Sequence, residues 1–351
     1  MKNPGSLTYS EIIGQHEAST AAWEQLEHQN DWVERYLKNS AFDEVIFIGS
    51  GSSYYQALVM ASTFRHWLGR KASACPSSEI WLFRSQSTAK GRKLLVGVSR
   101  SGESSEVILA IEAVRALPDW EVCGITCHAE SAMAELAECL VSPLGAEEST
   151  VMTKSFSSMT FMMQAAIAAA SGSPDLVAQM RTSLDAGTQL VHPAGRLADR
   201  IVSESGLFRN YIYLAMGALE GIAREACLKI KEMSCVWTES FGTLEFRHGP
   251  KAIVDIGTLV VLILSEQARD HELKVASEMK SYGAKVLIIA CRAGTDTRFA
   301  DYVFEIGGAE IGDEARATLY LPLLQWLGYY TAMKKNVNPD EPRNLTQVVR
   351  I

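Results

Sequence analysis

Short, continuous apolar runs alternate along the chain with longer stretches in which apolar residues recur at helical spacing. The runs Phe42-Asp43-Glu44-Val45-Ile46-Phe47-Ile48-Gly49-Ser50, Leu94–Ser99 and Val122–Cys127 read as strands, and Tyr55–Trp67, Ser105–Ala116 and Ala132–Leu140 as helices between them. Upstream, Tyr9–Leu37 predicts helix with Trp23, Leu26, Trp32 and Val33 on its apolar side. Strands that lack polar alternation and are joined by helices imply a parallel sheet covered on both faces, an α/β fold.

The pattern then repeats. Phe208–Leu214, Leu259–Leu264 and Val286–Ala290-Cys291 match the first three runs at an offset of roughly 165 residues, too long for a solenoid unit and suited to a whole domain. With 351 residues the chain fits two domains of about 150 residues each. Gly172-Ser173-Pro174 and His192-Pro193-Ala194-Gly195 mark the crossing, so the expected domains are 1–195 and 196–351. Pro339 and Pro342 exclude one continuous helix in the tail.

Charge narrows the partners. A formal net charge of −8 with no Lys/Arg cluster argues against nucleic acid or an anionic membrane surface. The amino terminus lacks a signal-like apolar stretch, and the longest apolar run, around Met159–Ala170, is short and interrupted by Gln164, so a cytoplasmic protein is expected. Seven cysteines without a Cys-x-x-Cys pair or metal spacing read as free thiols, and the scattered histidines predict no transition-metal site.

The candidate chemistry differs between the copies. In parallel sheets ligands bind beyond the carboxyl ends of the strands. There the first copy carries Gly49-Ser50-Gly51-Ser52-Ser53 and Ser99-Arg100-Ser101-Gly102-Glu103-Ser104-Ser105, each opening a helix. Amides, hydroxyls and helix dipoles of this kind hold an anion such as phosphate, although either loop alone is also an ordinary cap. A dinucleotide site fits less well: Tyr54 stands at the third glycine position, and Gly69–Ala74 offers no carboxylate for a ribose. In the second copy Glu225 and Glu232, seven residues apart on a helical stretch, share one stripe. They form an acid–base pair or, on a surface helix, Glu225 simply pairs with Lys229. His248 ends a charged loop before Gly249-Pro250 and is either catalytic or a hydrogen-bonded structural histidine.

These motifs together resemble the tandem sugar-isomerase-domain (SIS) family of phosphosugar isomerases. Ser99–Ser104 is similar to that family's Ser-x-Ser-Gly-Glu-Thr/Ser loop, Gly51-Ser52-Ser53 to its Gly-Thr-Ser loop and Thr153-Lys154-Ser155-Phe156 to its Thr-Lys-Ala-Phe segment. Leu228-Lys229-Ile230-Lys231-Glu232 and Arg247-His248-Gly249-Pro250 are similar to its Leu-Lys-x-Lys-Glu and Lys-His-Gly-Pro motifs. The resemblance implies two tandem SIS domains, each a flavodoxin-like parallel sheet with helices on both faces. It implies that Ser52, Ser53, Ser99, Ser101 and Ser104 hold the 6-phosphate of a hexose in a pocket that Arg100 also lines, and that Gly51, Thr153, Lys154 and Gln347 likewise bind the substrate. Glu232 would move a proton between C1 and C2, Glu225 would help hold the sugar, and His248, donated by the neighbouring subunit of a homodimer, would open the ring. No metal or organic cofactor is needed for those steps.

One departure refines the picture. Where the family's synthase ends in Pro-Arg-Asn-Leu-Ala-Lys, this chain has Pro342-Arg343-Asn344-Leu345-Thr346-Gln347, and the amide of Gln347 cannot form the synthase's Schiff base. No glutaminase precedes Met1, so the chain alone is expected not to be the synthase. It looks closer to stand-alone amino-sugar phosphate deaminase/isomerases. Two alternatives stay open: a deglycase of a sugar–amino acid 6-phosphate, and a phosphosugar-binding regulator without turnover.

Overall fold

The computed structural model describes residues 3–351, which form two compact units. One comprises Gly14–Glu148, Met152–Leu184 and Thr346–Ile351; the other comprises the N-terminal segment ending at Ile13, Ser149–Val151 and Asp185–Leu345. Residue 195 lies inside a helix, Val191–Ser205, that packs in the second of these units.

The first unit holds a five-stranded parallel sheet of β1 (Glu44–Gly49), β2 (Ala72–Pro76), β3 (Lys93–Val98), β4 (Trp120–Thr126) and β5 (Glu138–Val141), in the order β2-β1-β3-β4-β5. The second holds β6 (Asn210–Ala215), β7 (Thr238–Gly242), β8 (Thr258–Ile263), β9 (Lys285–Ala290) and β10 (Tyr302–Glu305), in the order β10-β9-β8-β6-β7. Counted within each copy both orders are 2-1-3-4-5, the flavodoxin-like arrangement, so the sequence repeat is a structural one. β1, β3, β6 and β8 are buried on both faces, as their unbroken apolar runs predict.

Each sheet is packed on both sides. Ile46, Ile48 and Leu95 meet Ile80, Val107, Ile111 and Met133 from the helices on one face of the first sheet. On another side Phe47 meets Phe64 of helix Ser52–Leu68 at 6.1 Å between ring centroids. Helix Lys154–Ser171, almost entirely buried, accounts for the long apolar run; it packs against helices Gln15–Glu27 and Ser52–Leu68. Among the described residues no helix is long and apolar enough to cross a membrane. In the second unit Ile212, Leu214, Val260 and Leu262 meet Leu273, Ala276 and Met279 of helix Arg269–Ser281. Helices Val191–Ser205, Glu220–Ser234 and Leu321–Lys334 pack together in the same unit.

Three expectations change. The predicted helix Tyr9–Leu37 breaks into Ser6–Ile13, Gln15–Glu27 and short turns up to Leu37, interrupted at Gly14 and at Gln29, whose φ of −117° is not helical. Ala132–Leu140 is helix only to Leu136 and then becomes β5. The charged loop expected before His248 begins as strand, β7 taking in Glu239–Gly242. All seven cysteines are free.

Candidate active site

The first sheet changes connection direction between β1 and β3, the place beyond the carboxyl ends of the strands where open parallel sheets bind ligands. After β1, Gly51 has φ +59° and ψ −128°, a conformation that side chains resist, and it turns the chain directly into helix Ser52–Leu68. Ser52 and Ser53, both buried, form its first turn. After β3, Gly102 has φ +67°, and a Cβ there would lie 2.1 Å from the Ser131 hydroxyl. Inside this loop the Gly102 N–H donates to Ser99 Oγ and the Glu103 N–H to Ser101 Oγ, each at 3.1 Å. Hydroxyls that accept within the loop keep their own protons to donate outward, as an anion requires.

Glu103, an acidic residue in an anion loop, is turned away from it. Its carboxylate accepts the Ala132 N–H at 2.8 Å, at the start of helix Ala132–Leu136. Ser104 is the N-cap of helix Ser105–Val114, and its side chain makes no capping bond to that helix. The tail crosses here: the Ser105 N–H donates to the Val349 carbonyl at 3.3 Å, and the Ile351 N–H to Ser105 Oγ at 3.2 Å.

Arg100 answers to Glu147. The two pair at 3.3 Å, with the glutamate side chain fully buried. The other Glu147 oxygen accepts the N–H groups of Thr153 and Ser155 at 2.8 and 2.7 Å, and so caps helix Lys154–Ser171 from a preceding loop. Arg100 also donates to the Gln347 carbonyl at 3.0 Å, and Gln347 Nε2 donates to the Glu147 carbonyl at 3.0 Å. Glu147 thus joins Arg100, Thr153, Ser155 and Gln347 in one network.

In the second unit helix Glu220–Ser234 carries Glu225, Lys229 and Glu232 on one stripe. Lys229, 1% exposed, lies 3.3 Å from Glu225 Oε1 and 2.5 Å from Glu232 Oε2. Burial alone would lower the lysine's pKa, but the two carboxylates outweigh it and raise it, so the ammonium persists. Glu225 is buried behind the lysine, whereas Glu232 keeps 19% of its side chain exposed. Glu232 lines a cavity of about 410 Å³ with Leu228, Lys231, Val236, Trp237 and Arg343.

His248 lies on the exposed turn after the short helix Glu245–Arg247, and its backbone N–H donates to Glu245 O at 2.9 Å. It lines a second cavity of about 440 Å³ together with Leu244, Arg247, Lys251 and His271. Glu232 and His248 therefore face different cavities of the same unit.

Gly51, Ser52, Ser53, Ser99, Arg100, Ser101, Ser104, Thr153, Lys154 and Gln347 all belong to the first-sheet unit, and Glu225, Glu232 and His248 all to the second. Sequence reasoning missed Glu147, whose partners come from three separate segments of the chain. One of the two alternatives read from the spacing made Lys229 a surface partner of Glu225; the pair is instead buried and extends to Glu232.

Two stretches, residues 41–169 and 209–322, match the family model described as SIS domain. Among curated relatives, the glutamine–fructose-6-phosphate aminotransferase (isomerizing) of Sulfurisphaera tokodaii is 28% identical over 329 residues, covering 92% of this chain and 52% of its own length. The chain thus spans about half the length of the curated relatives it matches. Among solved structures, glucosamine-6-phosphate deaminase from Thermotoga maritima is 29% identical with a TM-score of 0.80, covering 99% of this chain and all of its own. The tagatose-6-phosphate ketose/aldose isomerase of Escherichia coli shares the fold with a TM-score of 0.87 at 22% identity, over 96% of this chain and 95% of its own.

Proposed function

The chain belongs to the SIS-domain family, and from that premise we propose that it is an enzyme acting on a hexosamine 6-phosphate, giving a ketose 6-phosphate with release of ammonia, a reading its similarity to a glucosamine-6-phosphate deaminase supports. The phosphate is held by Ser52, Ser53, Ser99, Ser101 and Ser104 with the helix amides beside them, and Arg100 and Lys154 add positive charge. This remote handle positions the reacting carbons.

His248 opens the ring by handing a proton to the ring oxygen as the anomeric hydroxyl loses its own. Glu232 takes the C2 proton of the open-chain aldose, leaving an enolamine, and a proton returned to C1 gives an imine at C2. Water adds to that imine and ammonia leaves, which yields the ketose. Lys229 fixes the Glu232 carboxylate, and Glu225 acts from behind the lysine. The separate cavities of Glu232 and His248 support a homodimer in which each His248 works in the partner subunit's site.

The observation that carries this reading is Glu232: a carboxylate anchored to a buried lysine and exposed to a cavity. Glu232→Gln should lose turnover by about 10²–10⁴-fold while keeping sugar-phosphate binding, assayed by ketose and ammonia release from glucosamine- and galactosamine 6-phosphate. Retained turnover removes Glu232 as the base. A wild type that binds the sugar phosphates and converts none is a regulator.

A second reading has its own support. Lys231 and Arg343 lack an ion-pair partner among the described residues, and they line the Glu232 cavity beside Trp237, which is 73% exposed. Two cations and an indole suit the carboxylate and side chain of an amino acid joined to the sugar nitrogen, the substrate of a deglycase. Adding a sugar–amino acid 6-phosphate conjugate to the same assay separates the readings by which substrate yields ketose.

A further inference from the structure

Glu272 is a wholly buried carboxylate of the second-sheet unit to which the reaction above gives no task. It stands in the first turn of helix Arg269–Ser281, and three donors converge on it. Thr243 Oγ1 donates to one oxygen at 2.5 Å; Ser265 Oγ and the Ser265 N–H donate to the other at 2.5 and 3.1 Å. Thr243 follows β7 and Ser265 lies just beyond β8, while the Thr243 N–H donates to Ala215 O at the end of β6, at 3.1 Å. One carboxylate therefore ties together the carboxyl ends of three neighbouring strands. A leucine would fill this site without the cost of burying a charge, so what the carboxylate adds is acceptor geometry.

That geometry leads to His248. Four residues separate it from Thr243, and among them Phe246 is buried against Phe241 at 5.2 Å between centroids. On either side of His248, Arg247 and Lys251 both reach Glu278 of the same helix, at 2.9 and 2.6 Å. Helix Arg269–Ser281 thus grips the His248 loop at two places, and its His271, next to Glu272, lines the His248 cavity.

We propose that Glu272 is a positioning residue for His248: it fixes where the chain leaves β7 and thereby the place from which the imidazole works. The proposal rests on the assignment of ring opening to His248. Glu272→Gln puts an NH₂ where one acceptor oxygen stood, facing Thr243 or Ser265. It should lower kcat on a hexosamine 6-phosphate by about 10²-fold with KM changed less than about twofold, the size of effect that a small displacement of a catalytic group produces.

In a His248→Ala background the same substitution should cost nothing further, because the two residues act as one unit. Thr243→Val should reproduce the loss and Thr243→Ser should restore the rate. Equal losses from Glu272→Gln in both backgrounds, or an unchanged kcat, overturn the proposal. A readout independent of turnover is the His248 imidazole resonance, identified by its absence in His248→Ala, which should shift in Glu272→Gln. If the wild type converts no hexosamine 6-phosphate, the functional reading fails and this resonance decides alone: unmoved, it overturns the positioning role. Should Glu272→Gln not fold, Thr243→Val carries both measurements.

Discussion

At the scale of single residues, Lys229 shows how burial changes the meaning of a sequence spacing. An i,i+4 Glu–Lys pair on a solvated helix contributes a few tenths of a kcal/mol. Here lysine and Glu225 are each 1% exposed, and the same ammonium also holds Glu232. Removing one member of such a cluster leaves its partner charged without compensation in a poorly solvated place. Lys229→Met should therefore destabilise the protein by about 3–5 kcal/mol, measured by denaturant unfolding. Glu225→Gln added to it should recover much of that loss, since the orphaned charge is gone. A single-variant cost below about 1 kcal/mol, the range of a surface pair, would refute the picture of a buried relay behind Glu232.

At the scale of elements, Glu147 makes two loops depend on one helix end. It caps helix Lys154–Ser171 through the Thr153 and Ser155 amides and neutralises Arg100 of the Ser99–Ser105 loop. Glu147→Ala exposes both deficits at once and should cost about 3–5 kcal/mol of stability. Glu147→Gln, which keeps an acceptor oxygen for the two amides but loses the charge, should cost less. Titration with a sugar 6-phosphate should show weaker binding for Glu147→Ala, and full affinity in a folded Glu147→Ala protein would uncouple the network from the loop.

None of this was legible from the chain, because Glu147 lies in an unpatterned stretch and its partners come from three segments. The interior strands were legible, because a strand buried on both faces must be continuously apolar, as in Val45-Ile46-Phe47-Ile48. The outer strands escaped for the converse reason: β2 (Ala-Ser-Ala-Cys-Pro) and β7 (Thr-Glu-Ser-Phe-Gly) pair on one side only, are short, and keep polar residues. Within the site the glycine–serine loops and the Glu225–Glu232 stripe could be read from local order. Glu272 could not, because its donors Thr243 and Ser265 acquire meaning only when β7 and β8 lie in one sheet.

At the scale of the molecule, sequence order and structural membership diverge, and two buried carboxylates show how. The N-terminal helix Ser6–Ile13 belongs to the unit built from Asp185–Leu345 because Asp340 receives its first turn. The Thr8 N–H and hydroxyl each donate to Asp340 Oδ1 at 2.8 Å, and the Leu7 N–H donates to the other oxygen at 3.3 Å. The Asp340 carbonyl accepts the Thr150 N–H at 3.0 Å, and Glu11 receives the Ser149 hydroxyl and its N–H. Segments more than a hundred residues apart are thereby fastened in one unit, through contacts that no local pattern announces.

The consequence is testable, because a helix of eight residues has little stability of its own and depends on what it docks against. Asp340→Ala strips three donors of their acceptor in a buried place and should lower the unfolding free energy by about 1–3 kcal/mol. Hydrogen exchange localises the effect: protection should fall at Leu7 and Thr8, whose N–H groups bind the carboxylate, and should extend to Ile12, while amides of the second sheet such as Val260 keep theirs. Thr8→Val removes one of the three bonds and should cost less, about 1 kcal/mol. If Asp340→Ala left the exchange of this helix unchanged, its hold on the unit would have to come from apolar contact alone, chiefly Tyr9 against Trp326 and Tyr329.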